Sequence, residues 1–231
     1  MRRVCNGAGS GPTTAAMLLD ALLPPCCLAC GVLLRRPVLP ELCTRCLVAV
    51  APLPEPLRRQ GDASARFAYD GPLAEAMTRC KYGADAALAG ALGRALTPDP
   101  LWSCAPDGAP WDVVTCIPMH PWRRMRRGFD HAALMLRHAH RARPTARRLP
   151  RLLTRLRNDP PQATLPAATR LTNLVGAFAV ARGAPALVGA RVLVIDDVTT
   201  TGATLGEAIA ALRRAGAICV GGLALLRTLT D

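Results

Sequence analysis

The chain has 231 residues, 29 of them Lys or Arg and 16 Asp or Glu, for a formal charge of +13. With 51% hydrophobic and 19% charged residues it can bury a core and is not intrinsically disordered, and 19 Gly and 21 Pro without a fixed period exclude collagen-like and solenoid folds. No uninterrupted apolar run approaches the about 20 residues of a spanning helix, so no membrane insertion is expected.

In chain order, residues 1–12 carry Gly and Ser without periodicity. Thr13 and Thr14 then lead into a short helix, Ala15 to Leu23, that Pro24-Pro25 stops. Arg2 and Arg3 ahead of this stretch give it a faint likeness to a signal peptide. Asp20 interrupts it, however, and Pro24-Pro25-Cys26 is a poor cleavage site, which predicts a cytoplasmic location.

The cysteines follow. Cys27-x2-Cys30 and Cys43-x2-Cys46, 12 residues apart, have the spacing that suits one tetrahedral Zn²⁺. Cys27 rather than Cys26 keeps the two-residue gap, and Gly31 eases the first turn. Four thiolates leave no open coordination position, so the expected zinc is structural. Paired Cys-x-x-Cys motifs suit metal binding in a reducing compartment better than a disulfide framework. Cys5, Cys80, Cys104, Cys116 and Cys219 are isolated and read as small apolar residues. The Pro52-Leu53-Pro54-Glu55-Pro56 connector then sets a boundary near residue 60, dividing a helix-and-zinc module, 1–60, from a larger domain, 61–231.

In that domain Phe67-Ala68-Tyr69 predicts a short strand, Asp70-Gly71 a turn, and Pro72 the start of a helix toward Tyr82, followed by a helix from Ala84 to Leu96. Asp112 to Ile117 is a buried strand opening at Pro118, and Asp130 to about Arg141 a helix. Arg143 to Gln162 reads as irregular. Arg191 to Ile195 is a strand, Leu205 to Ala215 a helix closed by Gly216, and Ile218 to Leu226 a strand. Strands alternating with helices predict an α/β fold with a parallel sheet covered on both faces, whose ligands sit beyond the carboxyl ends of the strands. That points to the loops after Ile117 and Ile195.

Residues 192–204 read VLVIDDVTTTGAT. Asp196 and Asp197 are expected at the tip of a buried strand, and Thr200, Thr201, Gly202, Ala203 and Thr204 lead into a helix for which Thr204 and Glu207 fit a capping box. A hydroxyl-rich loop ending at a helix start offers converging N–H groups and cradles a phosphate, with Gly202 permitting close approach. Adjacent carboxylates repel a bare phosphate, so the ligand must also present hydroxyls or a divalent cation. A sugar phosphate meets both demands. After the other strand, Ile117-Pro118-Met119-His120 is followed by Arg123, Arg124, Arg126 and Arg127, a cationic segment able to fold over the site. The run Arg141, Arg143, Arg147, Arg148, Arg151, Arg155 and Arg157 reads as solvated surface, and at 3% aromatic residues the chain is poorly supplied for stacking on single strands.

The segment 192–204 resembles the phosphoribosyl-diphosphate motif of type I phosphoribosyltransferases. Residues 24–31 (PPCCLACG), Lys81-Tyr82, Arg127-Gly128-Phe129, Gln162 with Leu165, Arg170, Asn173 and Gly176-Ala177-Phe178 are similar to the competence protein ComF family, a zinc-bearing module fused to such a domain, over about residues 17–228. The resemblance implies that Asp196 and Asp197 hold ribose hydroxyls and that Thr200–Thr204 wrap the 5-phosphate, with Thr199 at the variable position. It also implies that Ile117-Pro118-Met119-His120 mark the diphosphate site; Arg127, beside Gly128 in the cationic segment, is the expected contact there, and Mg²⁺ is expected to bridge diphosphate oxygens and ribose hydroxyls. The expected reaction is displacement of diphosphate at the anomeric carbon, which needs positioning and charge rather than a protein nucleophile. The family equally implies a non-catalytic role in DNA uptake, with single-stranded DNA and a helicase as partners. Where the family continues Arg-Gly-Phe with Asn-Gln, this chain has Asp130-His131.

Overall fold

The computed structural model describes residues 26–34, 41–83, 85–156 and 176–229. The expected helix at 15–23, Cys5, Arg157, Gln162, Leu165, Arg170 and Asn173 lie outside the described residues.

The helices are α1 (Thr44–Leu47), α2 (Glu55–Arg58), α3 (Gly71–Tyr82), α4 (Ala86–Arg94), α5 (Pro100–Ser103), α6 (Pro121–Arg127), α7 (His131–Ala142) and α8 (Ala203–Arg214). The strands are β1 (Arg59–Gln60), β2 (Ala63–Ala68), β3 (Val113–Cys116), β4 (Arg147–Arg148), β5 (Leu153–Arg155), β6 (Phe178–Val180), β7 (Arg191–Thr199) and β8 (Cys219–Arg227). Six strands make one sheet in the order β1-β2-β8-β7-β3-β4, parallel except for the β1–β2 pair, while β5 and β6 form a separate antiparallel pair.

Strand alternation builds two apolar layers. Leu193 and Ile195 of β7, Val114 and Cys116 of β3 and Leu223 and Leu225 of β8 join the layer made by α3, α4 and α7. Val192 and Val194, Val113, and Val220 and Ala224 meet Leu205, Ile209 and Leu212 of α8 on the other side. The expected doubly covered parallel sheet is therefore present, and Leu205, Ile209 and Leu212 are the buried stripe of α8.

The structure alters four local expectations. β2 starts at Ala63, earlier than the Phe67–Tyr69 segment, because Ala63, Ser64 and Ala65 pair with Gly222, Leu223 and Ala224; ladder partners override the weak strand preference of small residues. The Arg143–Gln162 stretch includes two short strands, β4 on the sheet edge and β5 against β6. β7 does not stop at Ile195 but runs through both acids, since β8 continues in parallel and supplies Ala224, Leu226 and Arg227 as partners for Asp196, Val198 and Thr199. The Thr204–Glu207 capping box does not form. Gly202 is the N-cap, at φ +77°, without a side-chain cap, and Glu207 Oε1 instead accepts from the Gly176 N–H at 2.9 Å and from Arg214 at 2.8 Å.

The chain also shows where a crevice must open. From β3 it crosses through α6 and α7 to β4, toward one edge; from β7 it crosses through α8 to β8, toward the other. The loops leaving these neighbouring strands diverge, so their carboxyl ends flank a gap. The layer behind that gap is tight. A Cβ on Gly93 of α4 would lie 2.2 Å from the Met135 carbonyl oxygen of α7. Gly93→Ala is expected to push these helices apart and cost about 2–3 kcal/mol, read as a lower urea midpoint; an unchanged midpoint would show the packing to be more compliant than this.

Candidate functional site

The gap is a cleft of about 430 Å³ lined by both diverging loops: Pro118, Met119, His120, Arg123, Arg126 and Arg127 from one side, Asp196, Asp197 and Thr204 from the other. Lys81, Tyr82, Trp122, His131 and Arg155 complete it. The cleft thus gathers three of the expected catalytic residues and four of the expected substrate contacts. Thr200, Thr201 and Gly202 form the turn that leads into α8, whose first residue is Ala203. Gln60 steadies that turn, with its Nε2 donating to the Thr200 carbonyl at 3.0 Å and its Oε1 lying 3.0 Å from where a Cβ on Gly202 would stand. Thr201 Oγ1 accepts from the Ala203 N–H at 3.4 Å.

Because β7 continues through the acids, their side chains leave on opposite faces. Asp197 points to the α3 and α7 layer. There Lys81, the only lysine of the chain, reaches its Oδ2 at 2.9 Å, and His131 Nε2 bonds the same oxygen. Arg127 Nη1 lies 2.6 Å from His131 Nδ1. A guanidinium has no acceptor, so Nδ1 accepts and the ring proton sits on Nε2, from which it is donated to Asp197. Asp196 pairs with no cation among the described residues. It is 9% exposed and accepts the Asp197 N–H at 2.9 Å.

The two carboxyls consequently separate in acidity. Burial acts to raise Asp197, but Lys81 and His131 outweigh it and hold the group far below the usual carboxylate range. Burial, reinforced by the neighbouring Asp197 charge, pushes Asp196 well above that range. Lys81, which desolvation alone would lower, is raised by Asp197.

On α6, His120 is the N-cap, its Nδ1 accepting from the Trp122 N–H at 3.2 Å, and Gly128 ends the helix at φ +81°. Asp130 caps α7 by accepting from the Ala133 N–H at 3.0 Å.

Beside the last turn of α3, Cys27, Cys30, Cys43 and Cys46 place their Sγ atoms within 4.8 Å of one another. Cys30 and Cys43 Sγ are 3.7 Å apart, close to the ~3.8 Å edge of a tetrahedron with ~2.3 Å metal–sulfur bonds. The donor set fits a tetrahedral metal ion. Burial would raise the Cys27 thiol, yet the N–H groups of Cys30, Cys43 and Ala29 and the Cys30 thiol bring it down to about 6. Cys46 is pushed up to about 12, first by its bond with Cys43 and then by burial. In the first knuckle Gly31, at φ +74°, sends its N–H to the Cys27 carbonyl at 2.9 Å. Arg79 of α3 donates to the carbonyls of Ala29 at 2.7 Å and Leu28 at 2.9 Å, and Glu41 is held by two nitrogens of Arg94. Cys27, Leu28 and Leu42 are buried in the same layer as Leu73 and Leu92.

A parallel sheet with an acid pair, a hydroxyl loop and a helix start at its switch point has the architecture of a type I phosphoribosyltransferase-like domain, here joined to a four-cysteine module. Comparison with known proteins then gives the family. DNA utilization protein YhgH of Salmonella typhi is 32% identical over 209 residues, 88% of this chain and 84% of that protein, and its Escherichia coli K12 counterpart is 31% identical over the same span. Competence protein F of Haemophilus influenzae is 33% identical over 105 residues, 46% of this chain and 45% of that protein. The chain belongs to this family of competence F and DNA utilization proteins. No family model matches it. Among solved structures, the glutamine phosphoribosylpyrophosphate amidotransferase of B. subtilis, complexed with ADP and GMP, matches 61% of this chain and 26% of its own at 22% identity and a TM-score of 0.39.

Sequence reasoning missed Gln60 and the partners of Asp197. Nothing in the sequence pairs Lys81 or His131 with Asp197, since no local pattern announces a contact made across 66 residues or more.

Neighbouring acids with opposite shifts call for opposite effects on stability. The depressed Asp197 contributes stability that is present above its unfolded pKa of about 3.9 and lost as pH falls; the raised Asp196 costs stability that grows as pH rises above the same value. At pH 7, Asp197→Asn is therefore expected to destabilise the fold by about 3 kcal/mol, leaving Lys81 uncompensated, whereas Asp196→Asn should stabilise it by on the order of 1 kcal/mol. Urea unfolding of the two variants reads this, and equal signs would refute it.

Proposed function

We propose that the cleft binds phosphoribosyl diphosphate and that the domain transfers the phosphoribosyl group to an acceptor. The observation carrying this reading is the meeting of Asp196, Asp197 and Thr204 with Pro118, Met119, His120 and Arg127 at one switch-point cleft. In this reading Asp196 and Asp197 accept the ribose hydroxyls, and the turn Thr200–Ala203 with Thr204 receives the 5-phosphate at the start of α8. The N–H groups of Met119 and His120 face the diphosphate; Pro118 contributes shape, since it has no N–H. Arg127, oriented by His131, neutralises the departing charge. The bond from the anomeric carbon to a diphosphate oxygen breaks, the electron pair leaves with diphosphate, and the acceptor bonds to the same carbon, so the protein supplies position and charge.

Mg²⁺ fits this scheme as an ion brought in largely by diphosphate oxygens, with Asp196 the carboxylate open to it. It would neutralise the leaving group. For the cysteine module we propose a structural Zn²⁺ held by Cys27, Cys30, Cys43 and Cys46, and with it a reducing, cytoplasmic setting.

A second reading draws on the relatives, whose names refer to DNA utilization and competence, and on the charge of +13. Here the chain is a non-catalytic DNA-uptake protein that contacts single-stranded DNA beside a helicase, its arginines taking the phosphates.

Calorimetric titration of phosphoribosyl diphosphate with Mg²⁺ separates these readings. The unmodified chain is expected to bind, and Asp196→Asn to weaken binding at least about tenfold, which corresponds to about 1.4 kcal/mol. Unchanged affinity in the variant removes the acid from the site, and an absence of binding by the unmodified chain favours the second reading.

The module offers a separate check. Elemental analysis should find one zinc per chain, and a chelator should lower the melting temperature of the whole chain in a single transition, because Cys27, Leu28 and Leu42 share the core layer of α3 and α4. Two independent transitions would argue against that coupling.

A further inference from the structure

The chain has only eight aromatic residues: three Trp, two Tyr and three Phe. Trp102, Trp111, Phe67 and Phe178 are buried, and Tyr69 and Phe129 are half-buried. The remaining two are exposed, Tyr82 at 81% and Trp122 at 55%, and both line the cleft that holds the acid pair. The scarcity of aromatics argued against a stacking platform, but the fold places its two exposed rings at one opening.

Their surroundings define what such rings would meet. Arg126 Cζ lies 4.9 Å from the Trp122 ring centre and Arg127 Cζ 6.0 Å from that of Tyr82. Lys81, Arg123, Arg126, Arg127 and Arg155 line the cleft against two carboxylates, one of them already paired with Lys81. The opening therefore presents aromatic faces beside an excess of positive charge. A flat heteroaromatic ring joined to phosphate uses both features, through stacking and through charge. An acidic peptide would use the cations and draw nothing from the ring faces.

We infer that Tyr82 and Trp122 form a base-stacking subsite at the mouth of the cleft, for a nucleobase carried on phosphate. The base belongs either to a free nucleotide or to a single strand. This deepens the proposed function and rests on that reading for the role of the cleft: it names the chemistry of the group brought to the sugar-phosphate site.

The test uses the full chain at low salt with three probes: adenosine 5′-monophosphate, a 12-residue deoxythymidine strand, and base-free ribose 5-phosphate. Trp122→Ala and Tyr82→Ala should each weaken binding of the base-bearing probes by roughly tenfold, with ribose 5-phosphate unaffected. Trp122→Phe should retain most of the affinity and lose the quenching of indole fluorescence on binding, because buried Trp102 and Trp111 remain as silent emitters. Melting curves verify that the exposed substitutions leave the fold intact. If the mononucleotide responds, the source is a free nucleotide; if only the strand binds and responds, it is a single strand. Failure of both base-bearing probes to bind, unchanged affinity in both Ala variants, or a loss shared equally by ribose 5-phosphate overturns the subsite. Titration with phosphoribosyl diphosphate keeps the two ideas apart. If it fails while the base probes depend on Trp122, the transferase reading falls and the subsite stands; the reverse result removes the subsite alone.

Discussion

Everything at the cleft depends on the parallel pairing of β7 with β8 beyond Ile195. That ladder fixes alternation through the acid pair, so Asp197 must face the α3 and α7 layer while Asp196 faces away from it. Had the strand ended before the acids, both carboxyls would have had loop freedom and similar solvation. Instead one is neutralised by Lys81 and bonded to His131, and the other is buried against its neighbour's charge. The divergence of the two crossovers supplies the space, and the ladder supplies two unlike acids at its floor.

The last turn of α3 connects this floor to the rest of the molecule. Arg79 holds two carbonyls of the first cysteine knuckle, Lys81 reaches Asp197, and Tyr82 stands at the cleft mouth. A metal ion on the four cysteines would therefore do more than staple a small module. By fixing Leu28 and Ala29 it restrains Arg79, and through the helix it restrains the register of Lys81. The Glu41–Arg94 pair anchors the same module to α4, whose close approach to α7 at Gly93 sets the position of the helix bearing His131.

Much of this architecture was legible in the sequence because its signals are local. The apolar runs of β3, β7 and β8 read as buried strands, the stripe of Leu205, Ile209 and Leu212 read as a helix face, and the Cys-x-x-Cys spacing read as one cluster. The acid pair and the arginines of α6 were likewise identifiable, since loops after parallel strands are where ligands bind. What escaped was set by tertiary partners. Strand β2 forms from Ala63, Ser64 and Ala65 only because β8 lies beside them, and β7 lengthens for the same reason. Thr204 and Glu207 satisfied a capping pattern, but Gly202 starts the helix and Glu207 serves Gly176 and Arg214 instead. Composition is silent on one point: a low aromatic fraction does not say where the few exposed rings are placed.

The Asp130-His131 pair ties the start of α7 to the floor of the cleft. Asp130 takes up the N-cap of α7, a position that suits a short side chain able to receive a backbone N–H. His131 falls one residue later, at the helix's first position, where its ring reaches Asp197 through Nε2 and Arg127 through Nδ1. The contact has a fixed polarity, donor toward the acid and acceptor toward the arginine, and a planar ring with two side-chain torsions holds the line from Arg127 to Asp197. The link between the cationic helix and the floor of the cleft is thus a matter of donor and acceptor order, set by one ring between Arg127 and Asp197.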